Sequence, residues 1–276
     1  MIKIFLTVRN RLGITMKCIE SIRRHTKGSY QIYVYNNQTN YMIPEHFKYF
    51  GKLYEKGIIA QVTFNTNDST FNAFSKASSC NFFGMHHEMD PNKDKYDFLL
   101  ILDNDIILTP LWDDHLRKAW EYVNTNKLNH IKVVGQLPGG IKKVAQEYKI
   151  SNDMIGKSGF LGGSGLWSIK PDFFKTVGYL DLRQLFGQHK RHDQLYWQSL
   201  QKASGGKPYI LGIDKKLGIH CGKLCGSVCN TLTRFSAKQK TLDFINFADS
   251  DEKIRKQEFD PFFESIINNK NLIADW

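Results

Sequence analysis

No stretch of this 276-residue chain is apolar for long enough to cross a membrane as a helix. The longest continuous apolar run, Phe98 to Leu102, is closed by Asp103, far short of the roughly 18 residues such a helix needs. An export signal is not apparent either. Met1 to Val8 alternates only loosely and runs into Arg9 and Asn10, without a basic flank, an apolar centre and a small-residue cleavage site. The cysteines number five, an odd count that excludes a fully paired disulfide framework and suits reduced thiols. A cytoplasmic location is therefore expected. Internal repeats and low-complexity tracts are also lacking.

What the chain does have is material for a core. Its hydrophobic share is 41% with 13% aromatics, and 24% is charged, ordinary for a globular protein. The length fits one nucleotide-binding α/β domain with a tail. Lys plus Arg outnumber Asp plus Glu by 38 to 27, a formal charge of +11. That surplus favours acidic partners such as nucleoside diphosphates, nucleic acids and anionic lipid head groups. A basic surface without a partner is the alternative.

Patterning gives the order of elements. Ile2 to Val8 reads as a buried strand, and Thr15 to His25 as a helix with Ile14, Cys18, Ile19 and Ile22 on one side. Arg23, Arg24, His25 and Lys27 gather at its end, where cations suit the macrodipole, and Gly28 stops it. Gln31 to Tyr35 and Ile58 to Phe64 are further strands, each ending in a polar turn. Tyr96 to Leu102, apolar apart from Asp97, reads as a central strand covered on both faces. Later segments read as a helix over Trp112 to Val123, a strand over Ile131 to Val134 and a Gly-rich extended piece over Phe160 to Ile169. Helices over Pro171 to Val177 and Gln194 to Ala203 follow, then short extended pieces at Tyr209 to Ile213 and Leu217 to His220. Strands alternating with helices predict a mostly parallel sheet flanked by helices, with the binding crevice at the carboxyl ends of the strands.

Two aspartates, Asp103 and Asp105, follow the central strand directly. An Asp-x-Asp pattern alone is weak evidence, and Asp249 and Asp251 form another in a polar stretch with no assigned role. Position separates the two. Carboxylates at the end of a buried strand suit a hard divalent cation, Mn²⁺ or Mg²⁺, that keeps other positions for phosphate oxygens and water. A turn held by Asx hydrogen bonds is the competing account. His220 precedes Cys221, Cys225 and Cys229, four residues apart, a spacing without the short gap typical of structural zinc.

The order of these landmarks resembles the family 2 glycosyltransferases of the GT-A type. Thr7-Val8-Arg9-Asn10-Arg11-Leu12 is similar to the family's opening turn. Gln31-Ile32-Tyr33-Val34-Tyr35-Asn36-Asn37-Gln38-Thr39 resembles its second strand. Leu99-Leu100-Ile101-Leu102-Asp103-Asn104-Asp105 resembles its metal-binding strand. Gly178-Tyr179-Leu180-Asp181, His192-Asp193 and His220 resemble the landmarks of its second half. The family's usual aspartate at the second turn is Asn36 here, and its Glu-Asp pair is His192-Asp193.

The resemblance implies a GT-A Rossmann-like fold over residues 1–225, with a nucleotide-sugar-binding half at 1–108 and an acceptor half at 109–225. Residues 226–276 would form a helical extension. It implies an inverting, metal-dependent transfer of a sugar from a nucleotide-diphosphate sugar to an acceptor hydroxyl. Asp105, His220 and Asp103 would hold the metal, and Asp193 would act as general base, with Asp181 the next candidate. Thr7, Arg9, Asn36, Lys76, Asp103 and Gly163 are expected at the donor, and Arg11 is a further phosphate candidate. Gly162, Gly163 and Gly165 allow close backbone approach, and Trp167 is either an aromatic platform or core. A saccharide or protein hydroxyl is the expected acceptor. The basic clusters His189-Lys190-Arg191-His192 and Lys215, Lys216, Lys223 keep an anionic acceptor, such as a hydroxylated base in DNA, open. A nucleotidyltransferase and a non-catalytic nucleic-acid-binding protein on the same fold are the remaining alternatives.

Overall fold

The computed structural model describes residues 1–8, 12–37, 43–65, 72–136, 141–161, 165–181, 192–221 and 252–268. Within those bounds the side chains of 43, 45, 72–76, 141–142, 161, 192–195, 254–255 and 258 are not described.

The chain opens with β1 (Ile2–Val8), α1 (Leu12–His25) and β2 (Tyr30–Asn37), then α2 (Ile43–Glu55), β3 (Gln61–Asn65) and α3 (Asn72–Glu88). Next come β4 (Phe98–Asp103), β5 (Ile106–Leu108), α4 (Trp112–Thr125) and β6 (Val133–Gln136). They are followed by β7 (Ile141–Ser151), β8 (Met154–Leu161), β9 (Leu166–Ile169) and α5 (Phe173–Val177). The last elements are α6 (His192–Ala203), β10 (Ile210–Ile213), β11 (Gly218–His220) and α7 (Glu252–Ile267).

Nine strands form one sheet in the order β3-β2-β1-β4-β9-β6-β10-β8-β7. β1 pairs in parallel with both β2 and β4, and β2 pairs in parallel with β3. Only β8 and β9 run against the other strands of this sheet. The fold is thus α/β, with a mostly parallel central sheet flanked by helices. β1 and β4 are apolar almost throughout because both faces are covered. Ile2, Ile4, Leu6, Phe98, Leu100 and Leu102 belong to one buried cluster, with α1 and α4. Phe5, Leu99 and Ile101 belong to the other, with α3 and α6. Trp167 is 2% exposed and meets Tyr196 edge-on, so it is core and not a platform.

Some boundaries differ from the patterning. α1 begins at Leu12, and the glycine-rich stretch contributes to β8, assigned to Leu161, and to β9, assigned from Leu166. The long hairpin strand β7 was not foreseen: residues 143–147 are all exposed, so they carry no apolar alternation to read. α7 runs from Glu252 through Pro261 and packs on α1. Phe259 is buried there and stacks with Phe263, and both lie against the His25 ring. The helical potential at 241–247 lies outside the described residues. Among the described residues, no helix is long and apolar enough to cross a membrane.

Candidate active site

The parallel strands end together. In register, Thr7 of β1 faces Tyr35 and Asp103, Val8 faces Asn36, and Asn37 faces Asn65. This puts Thr7, Asn36, Asn65 and Asp103 along one carboxyl edge, the ordinary location of a ligand crevice in such sheets.

The turn after β4 is held tightly. The Asn104 N–H donates to the Thr7 carbonyl at 3.1 Å, and the Asn104 side chain donates to Thr15 Oγ1 at 2.8 Å. The Asp103 N–H donates to the Gly165 carbonyl at 2.9 Å. Through its two bonds Asn104 ties the turn to β1 and α1.

A second, two-stranded sheet then brings a distant residue in. β11 pairs antiparallel with β5, which sets His220 opposite Ile106, and the Cys221 N–H donates to the Asp105 carbonyl at 2.8 Å. Asp105 Oδ2 lies 3.4 Å from His220 Nε2, with the side chains 12% and 33% exposed respectively. Both are packed into the fold yet keep an open side. Gln136, at the end of β6, fixes β11: its side-chain carbonyl accepts from the Leu217 and Gly218 N–H groups at 2.6 and 2.9 Å. Gly218 permits the approach of β11 to β5, because a Cβ there would stand 2.9 Å from Ile106 Cγ2 and 3.3 Å from the Ile107 carbonyl oxygen.

Cys18 of α1 lies beneath this turn, with Sγ 3.9 Å from the Asp103 carbonyl oxygen. Burial pushes its thiol well up, followed by the charges of Asp105, Cys221 and Asp103. It remains a neutral thiol at the floor of the site. Cys80 and Cys221 are likewise buried thiols.

A divalent cation fits this donor set. One carboxylate and one imidazole, with Asp103 two residues away, match a hard to borderline metal whose other ligands come from phosphate and water. Among the described residues no three His, Cys, Asp or Glu side chains form a closed metal-binding group. Asp105 and His220 are the side chains placed to hold such a cation.

The other expected residues divide. Thr7 is buried, with Oγ1 3.2 Å from Ser79 Oγ. Asn36 is 0% exposed and pairs with His46, Oδ1 to Nδ1 at 3.1 Å. Burial lowers His46 to about 4, so the ring is neutral near pH 7. Ser79, His46 and Asn104 were not singled out from the sequence; of these, only Asn104, enclosed between two aspartates after a buried strand, carries a local signal. Lys76 lies on α3 and Asp193 in the first turn of α6, both without a described side chain. Arg9, Arg11, Gly162, Gly163, His189, Lys190, Arg191, Lys223, Cys225, Cys229, Asp249 and Asp251 lie outside the described residues. Lys215 pairs with Asp153 at 3.4 Å, and Lys216 Nζ reaches the Ile267 carbonyl at 3.5 Å, so both cations are engaged within the chain.

No family model and no curated protein sequence matches the chain. Solved structures do. TarS 1-349 of S. aureus in complex with UDP is 13% identical, with a TM-score of 0.46, over 98% of this chain and 72% of that one. GalNAc-T7 with UDP, GalNAc and Mn²⁺ is 13% identical, TM-score 0.49, over 78% and 44%. The mannosyltransferase PcManGT from Pyrobaculum calidifontis, in complex with GDP-Man and Mn²⁺, is 10% identical, TM-score 0.44, over 66% and 47%. Against a longer TarS structure the match spans 36% of that chain. At these values the likeness decides neither family nor chemistry.

Proposed function

We propose that the chain is a metal-dependent glycosyltransferase, which moves a sugar from a nucleotide-diphosphate sugar to an acceptor hydroxyl with inversion. The observation that carries this reading is the Asp105–His220 pair, 3.4 Å apart at the carboxyl edge of a buried parallel strand. A cation bound there supplies charge neutralisation for the leaving diphosphate. Asp105 and His220 would hold and orient it, and Asp103 stands two residues back toward the edge formed by Thr7 and Asn36. Asp193, in the first turn of α6, takes the proton from the acceptor hydroxyl as that oxygen bonds to the anomeric carbon and the diphosphate departs. The division into a donor half at 1–108, an acceptor half at 109–225 and an extension at 226–276 belongs to the same proposal.

The acceptor is proposed to be a saccharide or protein hydroxyl. The Lys215–Asp153 ion pair offsets part of the local positive charge on which a nucleic-acid acceptor would depend.

A thermal-shift screen of nucleotide sugars with and without Mn²⁺ tests the proposal, because a ligand at 100 times its Kd stabilises by about 2.7 kcal/mol. The expected result is a shift that needs Mn²⁺ and a sugar nucleotide together, followed on turnover by a free nucleoside diphosphate. Release of pyrophosphate instead would reassign the chain to nucleotidyl transfer.

A further inference from the structure

We propose a second ligand site, for a phosphate-type dianion, at the sheet edge opposite the aspartates. It is a cavity of about 170 Å³ lined by Asn129, Ile131, Lys132, Lys170, Asp172, Phe173 and Thr176. Lys132 directly precedes β6, and Lys170 directly follows β9. β9 runs antiparallel to β4, with Ile169 opposite Leu99, so Lys170 stands at the amino-terminal end of β4. A strand of this length separates the cavity from Asp103 by roughly 15–20 Å.

The lining is unbalanced in charge. Two lysines line the cavity, and the one acid among its lining residues is Asp172. Lys170 is pushed down from the usual lysine range by burial, while Asp172 raises it and Lys132 lowers it further. Lys132 and Lys207 also depress the nearby His130, after its burial. Among the described residues neither Lys132 nor Lys170 has an ion-pair partner within 4.0 Å; the Lys170 ammonium instead lies 5.7 Å from the centre of the Trp120 ring. Trp120 is itself 4% exposed and fixed by a hydrogen bond from Nε1 to Ser168 Oγ at 3.0 Å. An anion in the cavity would relieve the lysine–lysine repulsion. It would also recruit both as charge-assisted donors, with the Asn129 amide as a neutral partner; the Thr176 hydroxyl donates to the Phe173 carbonyl at 3.1 Å. The cavity is large enough to admit a phosphate group.

Trp120 serves as the reporter. Inorganic phosphate and glycerol phosphate are titrated into the full chain at low ionic strength while tryptophan fluorescence is followed, with Trp120→Phe as the reporter control. Saturable changes are expected with midpoints below about 10 mM, a weak but specific range. Lys132→Gln and Lys170→Gln should each raise the midpoint at least tenfold, and Lys170→Arg, which keeps the charge, should restore it. A lower midpoint for glycerol phosphate supports a phosphate ester as the ligand, and a lower one for inorganic phosphate supports the free anion. Asp105→Ala should bind phosphate here as wild type does, which separates this site from the proposed nucleotide site. Absence of saturation, or equal midpoints in wild type and both glutamine variants, would overturn the proposal.

Discussion

The Asp105 carboxylate and the His220 imidazole, distant in sequence, meet at 3.4 Å because β11 pairs with β5 directly after the aspartate turn. This contact depends on two separate strands ending at one place, and each strand can be perturbed by itself.

Removing the imidazole tests the pair. His220→Ala is expected to weaken Mn²⁺-dependent binding of a nucleoside diphosphate by at least the roughly 10–100-fold typical when a partner that merely orients a metal ligand is lost. Metal-independent affinity should hold. Equilibrium dialysis with and without Mn²⁺ separates the two quantities.

Gln136 acts on the site through β11. Its carbonyl satisfies two backbone N–H groups ahead of His220, and leaving a buried donor unpaired costs about 1–3 kcal/mol. Gln136→Leu should lower the melting temperature and the Mn²⁺-dependent affinity together. Gln136→Glu keeps an acceptor oxygen and should recover most of the affinity. A leucine variant that loses stability alone would make the residue purely structural.

The legible parts of this site are those encoded in adjacent residues. The run Phe98 to Leu102 announces a covered strand, and Asp103 and Asp105 at its end announce a crevice, because burial on both faces leaves no other use for such a sequence. The pairings are less legible. Gln136 looks like an ordinary polar residue entering a turn, and its partners at 217 and 218 follow from a sheet order that strand patterns do not specify. His46 sits in α2 with no local sign that it will enclose Asn36. β7 escapes detection because residues 143–147 are exposed and its alternation is confined to Tyr148 and Ile150 near its end, too short a pattern to mark a half-buried strand.

Asp193 is testable without reference to its side-chain contacts. Asp193→Asn should retain donor binding and lower turnover by about 10²–10⁴-fold, as expected for loss of a general base. A pH–rate profile should lose its acidic limb in the variant. Turnover within a few-fold of wild type would transfer the role to another group, with Asp181 the next candidate.

The packing of α7 gives a pH dependence. His25 lies against Phe259 and Phe263, and burial followed by the neighbouring Arg24 lowers it to about 4. His46 is lowered to a similar value by burial. Both folded values lie below the unfolded 6.5, so between these limits the unfolded chain binds more protons. Stability should be fully present above pH 6.5 and decline as the pH falls toward about 4. Urea melts across that window should show the decline, and His25→Phe should flatten part of it. Phe259→Ala should cost about 3 kcal/mol at neutral pH, the low end for a buried phenylalanine.

The central claim is that Asp105 holds a metal that holds a diphosphate. Calorimetric titration of a panel of nucleoside diphosphates into wild type and Asp105→Ala, with and without Mn²⁺, tests it most directly. Wild type should bind at least one of them in a Mn²⁺-dependent manner. The variant, with its circular dichroism unchanged, should lose that dependence. Unchanged Mn²⁺-dependent affinity in Asp105→Ala would contradict the account.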